Sequence, residues 1–288
     1  MQNDQHKIMM HQASTAEELI VQDMRHGDGF HALGVRGDDE LIDPFLMVDH
    51  FWMSQPTFGP HPHAGFSAIT YLFEDSATAF HNRDSLGDDT MIEPGDLHWM
   101  ISGEGIVHDE VPQTPGHVAH GLQVFVNLPA SQKHCAPSVM KLKSAQMPRI
   151  EQAEGAIVKL VFGAYEDTTR RIEPLLPLPT EVSLFDIELP SGSRFRYPLE
   201  SNSTEFILVI SGDVKLGRHR LGNGKAVAFD RVGGELQISA MQTDARIALF
   251  LGEPIGEPVV RHGPFVMTNQ IDIDQAVANY QSGKMGSL

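Results

Sequence analysis

One cysteine, Cys135, is all that 288 residues contain. That excludes an intramolecular disulfide and fits a reducing compartment. Basic residues are scarce too. The 21 Lys and Arg against 38 Asp and Glu leave a formal net charge of −17 with histidine neutral. Such a balance argues against direct binding to nucleic acid or to an anionic membrane, so a role near DNA would need a protein intermediary. No apolar run approaches the ~18 residues of a membrane-spanning helix, so none is expected. The opening MQNDQHKIMMHQAS shows no basic start, apolar stretch or small-residue cleavage site of a secretory leader. A cytoplasmic, soluble protein is the expectation. Short-period repeats are absent, and helical signals are few. Ser14-Thr15-Ala16-Glu17 resembles a capping box before a short turn of helix. Ile273, Ala276, Val277 and Tyr280 fall at helical spacing, with Gly283 as a stop.

What the sequence does have is strand signal. A hydrophobic fraction of 41% is enough for one large core or two moderate ones, and 26 glycines and 18 prolines supply turns. Strand patterns fall at Phe66 to Phe73, Gly121 to Leu128, Val158 to Phe162, Val182 to Leu189, Phe206 to Ile210, Glu235 to Ala240 and Arg246 to Leu251. Ser211-Gly212-Asp213 has the composition of a tight hairpin. Many short strands predict sandwiches or small barrels. Ser131 to Arg149 carries little strand pattern. The expected division is therefore residues 1–132, a linker over 133–148, and residues 149–288. A loose duplication suggests two β-barrels of one type, the first with histidines and the second without.

Histidine is unevenly spread: of 15, only His219 and His262 lie beyond residue 150. As the commonest metal ligand and the usual acid–base group at neutral pH, it assigns the chemistry to the first half. His61-Pro62-His63 puts two imidazoles on one face of an extended strand, roughly 6 to 7 Å apart along it. Both can converge on one ion above the strand. His108-Asp109-Glu110 repeats the pattern with an imidazole and a carboxylate. On neighbouring strands the two pairs would offer three nitrogens and one oxygen. A six-coordinate first-row ion would then keep two positions open for dioxygen or a chelating substrate.

The motifs around these pairs resemble the pirin family. They run as Ile42-Asp43-Pro44-Phe45-Leu46-Met47, Gly59-Pro60-His61-Pro62-His63-Ala64-Gly65-Phe66, Pro94-Gly95-Asp96-Leu97-His98-Trp99-Met100, Gly105-Ile106-Val107-His108-Asp109-Glu110 and His120-Gly121-Leu122-Gln123-Val124-Phe125-Val126-Asn127-Leu128. Gly263-Pro264-Phe265-Val266-Met267 and Tyr280-Gln281-Ser282-Gly283 extend the resemblance over essentially the whole chain. The resemblance implies an all-β bicupin of two antiparallel jelly-roll barrels with few short helices and a C-terminal helix. It implies one metal per chain in the N-terminal cupin and none in the C-terminal one. Iron(II) is the first expectation, with nickel, copper, manganese, cobalt and zinc as alternatives. His61, His63, His108 and Glu110 fall on the family's ligand positions, and Gln123 on a position close to the metal. Gln123 and Phe66 are the candidate substrate contacts. Two positions depart from the family: Ser67 stands where pirins often carry Glu, and His98 where they usually carry Gln. Ser67 would lie near the site, where it could alter substrate preference. His98 could also be a further ligand or proton carrier, or a partly buried histidine beside Trp99.

His81, His117, His120 and His134 read as solvated residues in or beside turns, and Cys135 has no neighbouring redox or nucleophile pattern. Two functions follow from the resemblance. The first is quercetin 2,3-dioxygenase chemistry on a small aromatic substrate and O2, with Glu110 as catalytic base. The second is a metal- or redox-sensitive regulatory protein acting through a protein partner. A purely structural cupin is disfavoured, because open coordination positions are what reactive sites retain.

Overall fold

A computed structural model describes residues 16–37 and 39–288. Two units of the same plan follow one another, each a seven-stranded antiparallel sheet facing a four-stranded one. In the first, the large sheet runs Ser138–Leu142, Leu97–Ile101, Phe66–Leu72, Ala119–Asn127, Phe45–Met53, Phe30–Arg36, Ile20–His26. The small sheet runs His61–His63, Ile106–Pro112, Phe80–Asp84, Asp89–Ile92. The second unit repeats the count, with Thr204–Ser211, Ala245–Gly252 and Val182–Leu189 at the centre of its large sheet. The fold is an all-β bicupin whose units are two-sheet jelly rolls rather than fully closed barrels. Every strand pattern read from the sequence lies within an observed strand or reaches one residue past it. The C-terminal helix spans Gln270–Gln281, with the Asn269 side chain accepting from the Asp272 amide at its start.

Three local expectations fail. Ala16–Glu18 is a strand paired with Ala226–Phe229, because the second unit's sheet offers it an open edge; Ser14 and Thr15 lie outside the described residues. Ser211-Gly212-Asp213 is not a hairpin. Thr204–Ser211 belongs to the large sheet and Asp213–Leu216 to the small one, so the turn is a corner between sheets. Gly212 adopts φ 74° there, and a Cβ would overlap Asp244 and Ala245. Within the stretch expected to link the units, Ser138–Leu142 adds an edge strand to the first large sheet.

Phe66–Leu72 is buried at all seven positions because both faces are covered. Ile69 and Tyr71 point to a core shared by both units, together with Trp99, Leu122 and Val124 from the first and Phe162, Leu184 and Phe250 from the second. Phe45 meets Phe206 and Phe250 edge-on at 5.2 and 5.6 Å, and Trp99 meets Phe162 at 4.9 Å. At roughly 1.5–3 kcal/mol per fully buried large side chain, apolar burial dominates this junction. Polar groups rim it. The Tyr71 hydroxyl donates to Asp186 (2.7 Å), whose other oxygen accepts from Arg246 Nε at 2.7 Å, and Lys159 reaches Glu74 at 2.8 Å. His120 belongs to this rim, contrary to its solvated reading. It sits in a strand, bonded to Asp75 (3.0 Å) and His50 (2.8 Å), with its ring parallel to Trp52.

Each unit also borrows a segment from the other. The N-terminal strand Ala16–Glu18 completes the second unit's large sheet. The chain's last segment returns to the first unit, where Phe265, Met267, Ile273 and Met285 pack on Ala64 and Val107. The second unit's interior is filled by Phe185, Phe195, Ile207, Ile238 and Leu249.

Glu205 is buried near a turn of the second unit. Its Oε1 accepts from the Glu200 amide and the Ser203 hydroxyl, and its Oε2 has no partner. Burial pushes its pKa up to about 7. The folded state therefore holds this proton more tightly than the unfolded chain does. The associated stability is complete below the ordinary glutamate range and is lost as pH rises through about 7. Glu205→Gln should stabilise the protein at pH 8 by about 2 kcal/mol and converge with the parent near pH 4. Parallel melts across that range test it, and equal differences at both pH values would contradict it.

Candidate metal centre

Strand pairing assembles the histidines. His61–His63 lies antiparallel to Ile106–Pro112, with His61 opposite His108 and His63 opposite Ile106. All three rings therefore project from one face of the small sheet. Their centroids are 4.7 to 5.0 Å apart, and their ligating atoms lie within 4.8 Å of one another. Small side-chain rotations bring that spacing to the roughly 3 Å nitrogen separations set by 2.0–2.1 Å metal–nitrogen bonds. No other group of three or more His, Cys, Asp or Glu side chains comes this close among the described residues.

The rings are prepared for a cation. His61 Nδ1 donates to the Gly59 carbonyl at 2.9 Å, which leaves Nε2 as a lone-pair donor. His108 Nδ1 lies 3.4 Å from Asn82 Oδ1, and its Nε2 is buried without a partner. His63 Nδ1 is likewise buried without a direct hydrogen bond. Burial, then the neighbouring His61, lowers the His63 pKa to about 3. Burial, then His63 and His61, holds His108 well below its ordinary value. Both imidazoles are thus neutral at physiological pH. Orphaned, neutral, converging nitrogens fit a divalent first-row ion.

Glu110 lies two residues beyond His108, past the end of the His61–His63 strand, opposite Asn82 on the other side. Its carboxylate lines the same cavity but stands outside the three-histidine group. The Thr70 hydroxyl is 2.8 Å from each of its oxygens and 3.0 Å from Gln123 Oε1. Burial raises the Glu110 pKa, opposed by His98 and Thr70. Thr70 is one of a row of polar side chains at adjacent register positions across five strands: Asp49, Gln123, Thr70, His98 and Lys141. The row ends in ion pairs, Asp49 with Arg36 at 2.7 Å and Lys141 with Asp88.

The cavity above the histidines measures about 340 Å³. Met24, Phe30, Phe51, Met53, Phe80 and Phe125 supply most of its apolar wall, and Glu110 and Gln123, with Arg25, His26 and Asp49, its polar groups beside the three histidines.

Comparison with known proteins is decisive here. The pirin family model matches residues 28–126, and the family's C-terminal cupin model matches residues 184–286. A pirin-like protein of Caulobacter vibrioides is 34% identical over 250 residues, 85% of this chain and 88% of its own. The chain belongs to the pirin family. Human pirin is 33% identical over 283 residues, covering 93% of this chain and 92% of its own. Among solved structures, quercetin 2,3-dioxygenase from Acinetobacter baumannii superposes with a TM-score of 0.83 at 25% identity, over 96% of this chain and 99% of that one.

The pirin motifs fall into place unevenly. Gln123 lines the cavity; Phe66 does not. Phe66 lies behind His63 and Phe125, with ring centroids at 5.1 and 4.6 Å, and Phe125 takes the wall position. Ser67 shares the Ile69 and Tyr71 face of its strand and points away from the site, so this departure from the pirin pattern does not alter the cavity wall. His98 is buried on the inner face with Nε2 3.3 Å from Asp88, while Trp99 turns outward to the junction. Sequence reasoning missed Thr70, Asn82 and Phe125, which register alone brings to the site. No helix is long and apolar enough to cross a membrane among the described residues.

Proposed function

We propose that this pirin is a metal-dependent dioxygenase that opens a flavonol-type ring, of which quercetin is the representative, with O2. The observation that carries this reading is a three-histidine cluster on the wall of an apolar cavity, with a buried carboxylate beside it. The superposition on quercetin 2,3-dioxygenase supports it. His61, His63 and His108 would hold one divalent transition metal, iron(II) first, with Glu110 as the fourth ligand in reach of the same cavity. The ion supplies Lewis acidity toward the adjacent hydroxyl and carbonyl oxygens of a chelating substrate.

The chain's own residues do the rest. Glu110 accepts the substrate's hydroxyl proton on a carboxylate oxygen, and its burial makes it a stronger base than an exposed glutamate. Thr70 fixes that carboxylate, and Gln123 lies beside it to orient a polar substituent. Phe80 and Phe125 pack the aromatic rings, and the methionine-rich wall excludes water from the anion. The test is flavonol loss and oxygen uptake by protein loaded in turn with Fe(II), Ni(II), Co(II), Mn(II), Cu(II) and Zn(II). Stoichiometric consumption with at least one metal is expected. No turnover with any of them would remove the enzyme reading and leave a metal-sensitive regulatory protein.

A further inference from the structure

We propose that the segment 263–267, clamped by the buried Lys133, is a positioning element of the metal centre that holds His63 in its ligating orientation. The proposal rests on the reading of the three histidines as metal ligands. Two of those rings are oriented from nearby: His61 by Gly59, two residues away, and His108 by Asn82 on the next strand. For His63, whose Nδ1 is buried without a hydrogen bond, the support acts through the backbone beside it, which meets Pro264 and Val266 some two hundred residues downstream.

The segment is stitched to the His63 strand at successive residues. The Ala64 amide donates to the Pro264 carbonyl at 3.4 Å, and the Val266 amide donates back to the Ala64 carbonyl at 3.0 Å. Gly65, at φ 85°, leaves no room for a Cβ against the Val266 carbonyl. Lys133 then ties the two together. Only 1% exposed, its ammonium donates to the Gly65 carbonyl (2.9 Å), the Val266 carbonyl (3.1 Å) and Asn127 Oδ1 (2.6 Å). A buried ammonium is tolerated only while hydrogen-bonded, so all three acceptors must stay in place. Behind the ligand strands, Phe265 and Met267 pack on Ala64 and Val107, and the Ser85 hydroxyl donates to the Met285 carbonyl at 2.7 Å. The small sheet thus has the cavity on one face and the chain's end on the other.

Loosening this segment should weaken metal binding with every ligand intact. Lys133→Met removes the clamp, and Phe265→Leu, a milder change in packing, loosens the segment without touching a polar group. Co(II) affinity would be measured by chelator competition well below each melting temperature. The surroundings of the three histidine rings would be read by nitrogen–proton correlation spectra of the metal-free proteins. Expected for Lys133→Met is a loss of affinity of about tenfold or more, the usual effect of removing an outer partner of a ligand. Phe265→Leu should shift in the same direction. The His63 ring signals should shift or broaden, while those of His61 and His108 stay in place. Unchanged Co(II) affinity in both variants with a lowered melting temperature would overturn the proposal and leave a merely stabilising segment. If the unaltered protein fails to bind one equivalent of Co(II), the metal reading itself falls instead.

Discussion

Glu110→Gln should cut flavonol turnover by about a hundredfold or more, the usual worth of a positioned base, while much of the metal is retained. The substitution keeps the shape and an oxygen that can still accept from Thr70, but removes the charge and the basicity. In the parent, Thr70 grips both carboxylate oxygens at 2.8 Å outside the three-histidine group. On that geometry the histidines alone would hold much of the ion's binding energy. Metal content and rate must be measured on one preparation. Equal fractional losses of both would make Glu110 only a ligand, and full metal with an unchanged rate would remove it from the mechanism.

His108→Ala should take metal content from one equivalent per chain to none, with the fold retained. The strand carrying His108 is held by its ladder to Phe80–Asp84 and by Val107 packing on its other face, neither of which involves the ring. The ring's own partner, Asn82, is at a long 3.4 Å. Elemental analysis alongside a thermal melt tests both halves of this expectation. Unfolding on mild chelation of the parent would mean that metal binding is folding, as in zinc fingers. A second tightly held equivalent would contradict the apolar filling of the second unit, where Phe195 and Ile238 occupy the interior.

Much of this was legible in the residue order. Alternation gave the central strands, and the His-x-His and His-x-Glu spacings gave the cluster, because a two-residue period fixes which side chains share a face. What the spacing could not give is which strands become neighbours. Thr70 reaches Glu110, and Asn82 reaches His108, only through pairings between distant segments. The same ignorance placed Phe66 in the cavity: it shares the Thr70 face of its strand but lies four residues away, backed against His63 and Phe125, and Phe125 on the next strand takes the wall. His120 was misjudged for a similar reason. Its partners come from elsewhere, Asp75 from a turn and His50 from another strand, so nothing adjacent in sequence announced its role. The failed hairpin at Gly212 is a limit of local reasoning as well, since a corner and a hairpin use the same residues.

The exchange of terminal segments bears on how the molecule comes into being. During synthesis from the N-terminus, the histidine-bearing sheet leaves the ribosome early, yet Phe265, Met267 and Met285, which cover its outer face, are made last. The second unit, conversely, waits on a strand made first, Ala16–Glu18, to close its edge. Neither half can reach its final form as an independent fragment. Cutting the gene at the junction would yield two incomplete sheets with open edges, the kind of surface that aggregates. Maturation of the first unit is thereby tied to synthesis of residues 265–285, and a chain stopped before them would carry the histidines without the structure packed behind them.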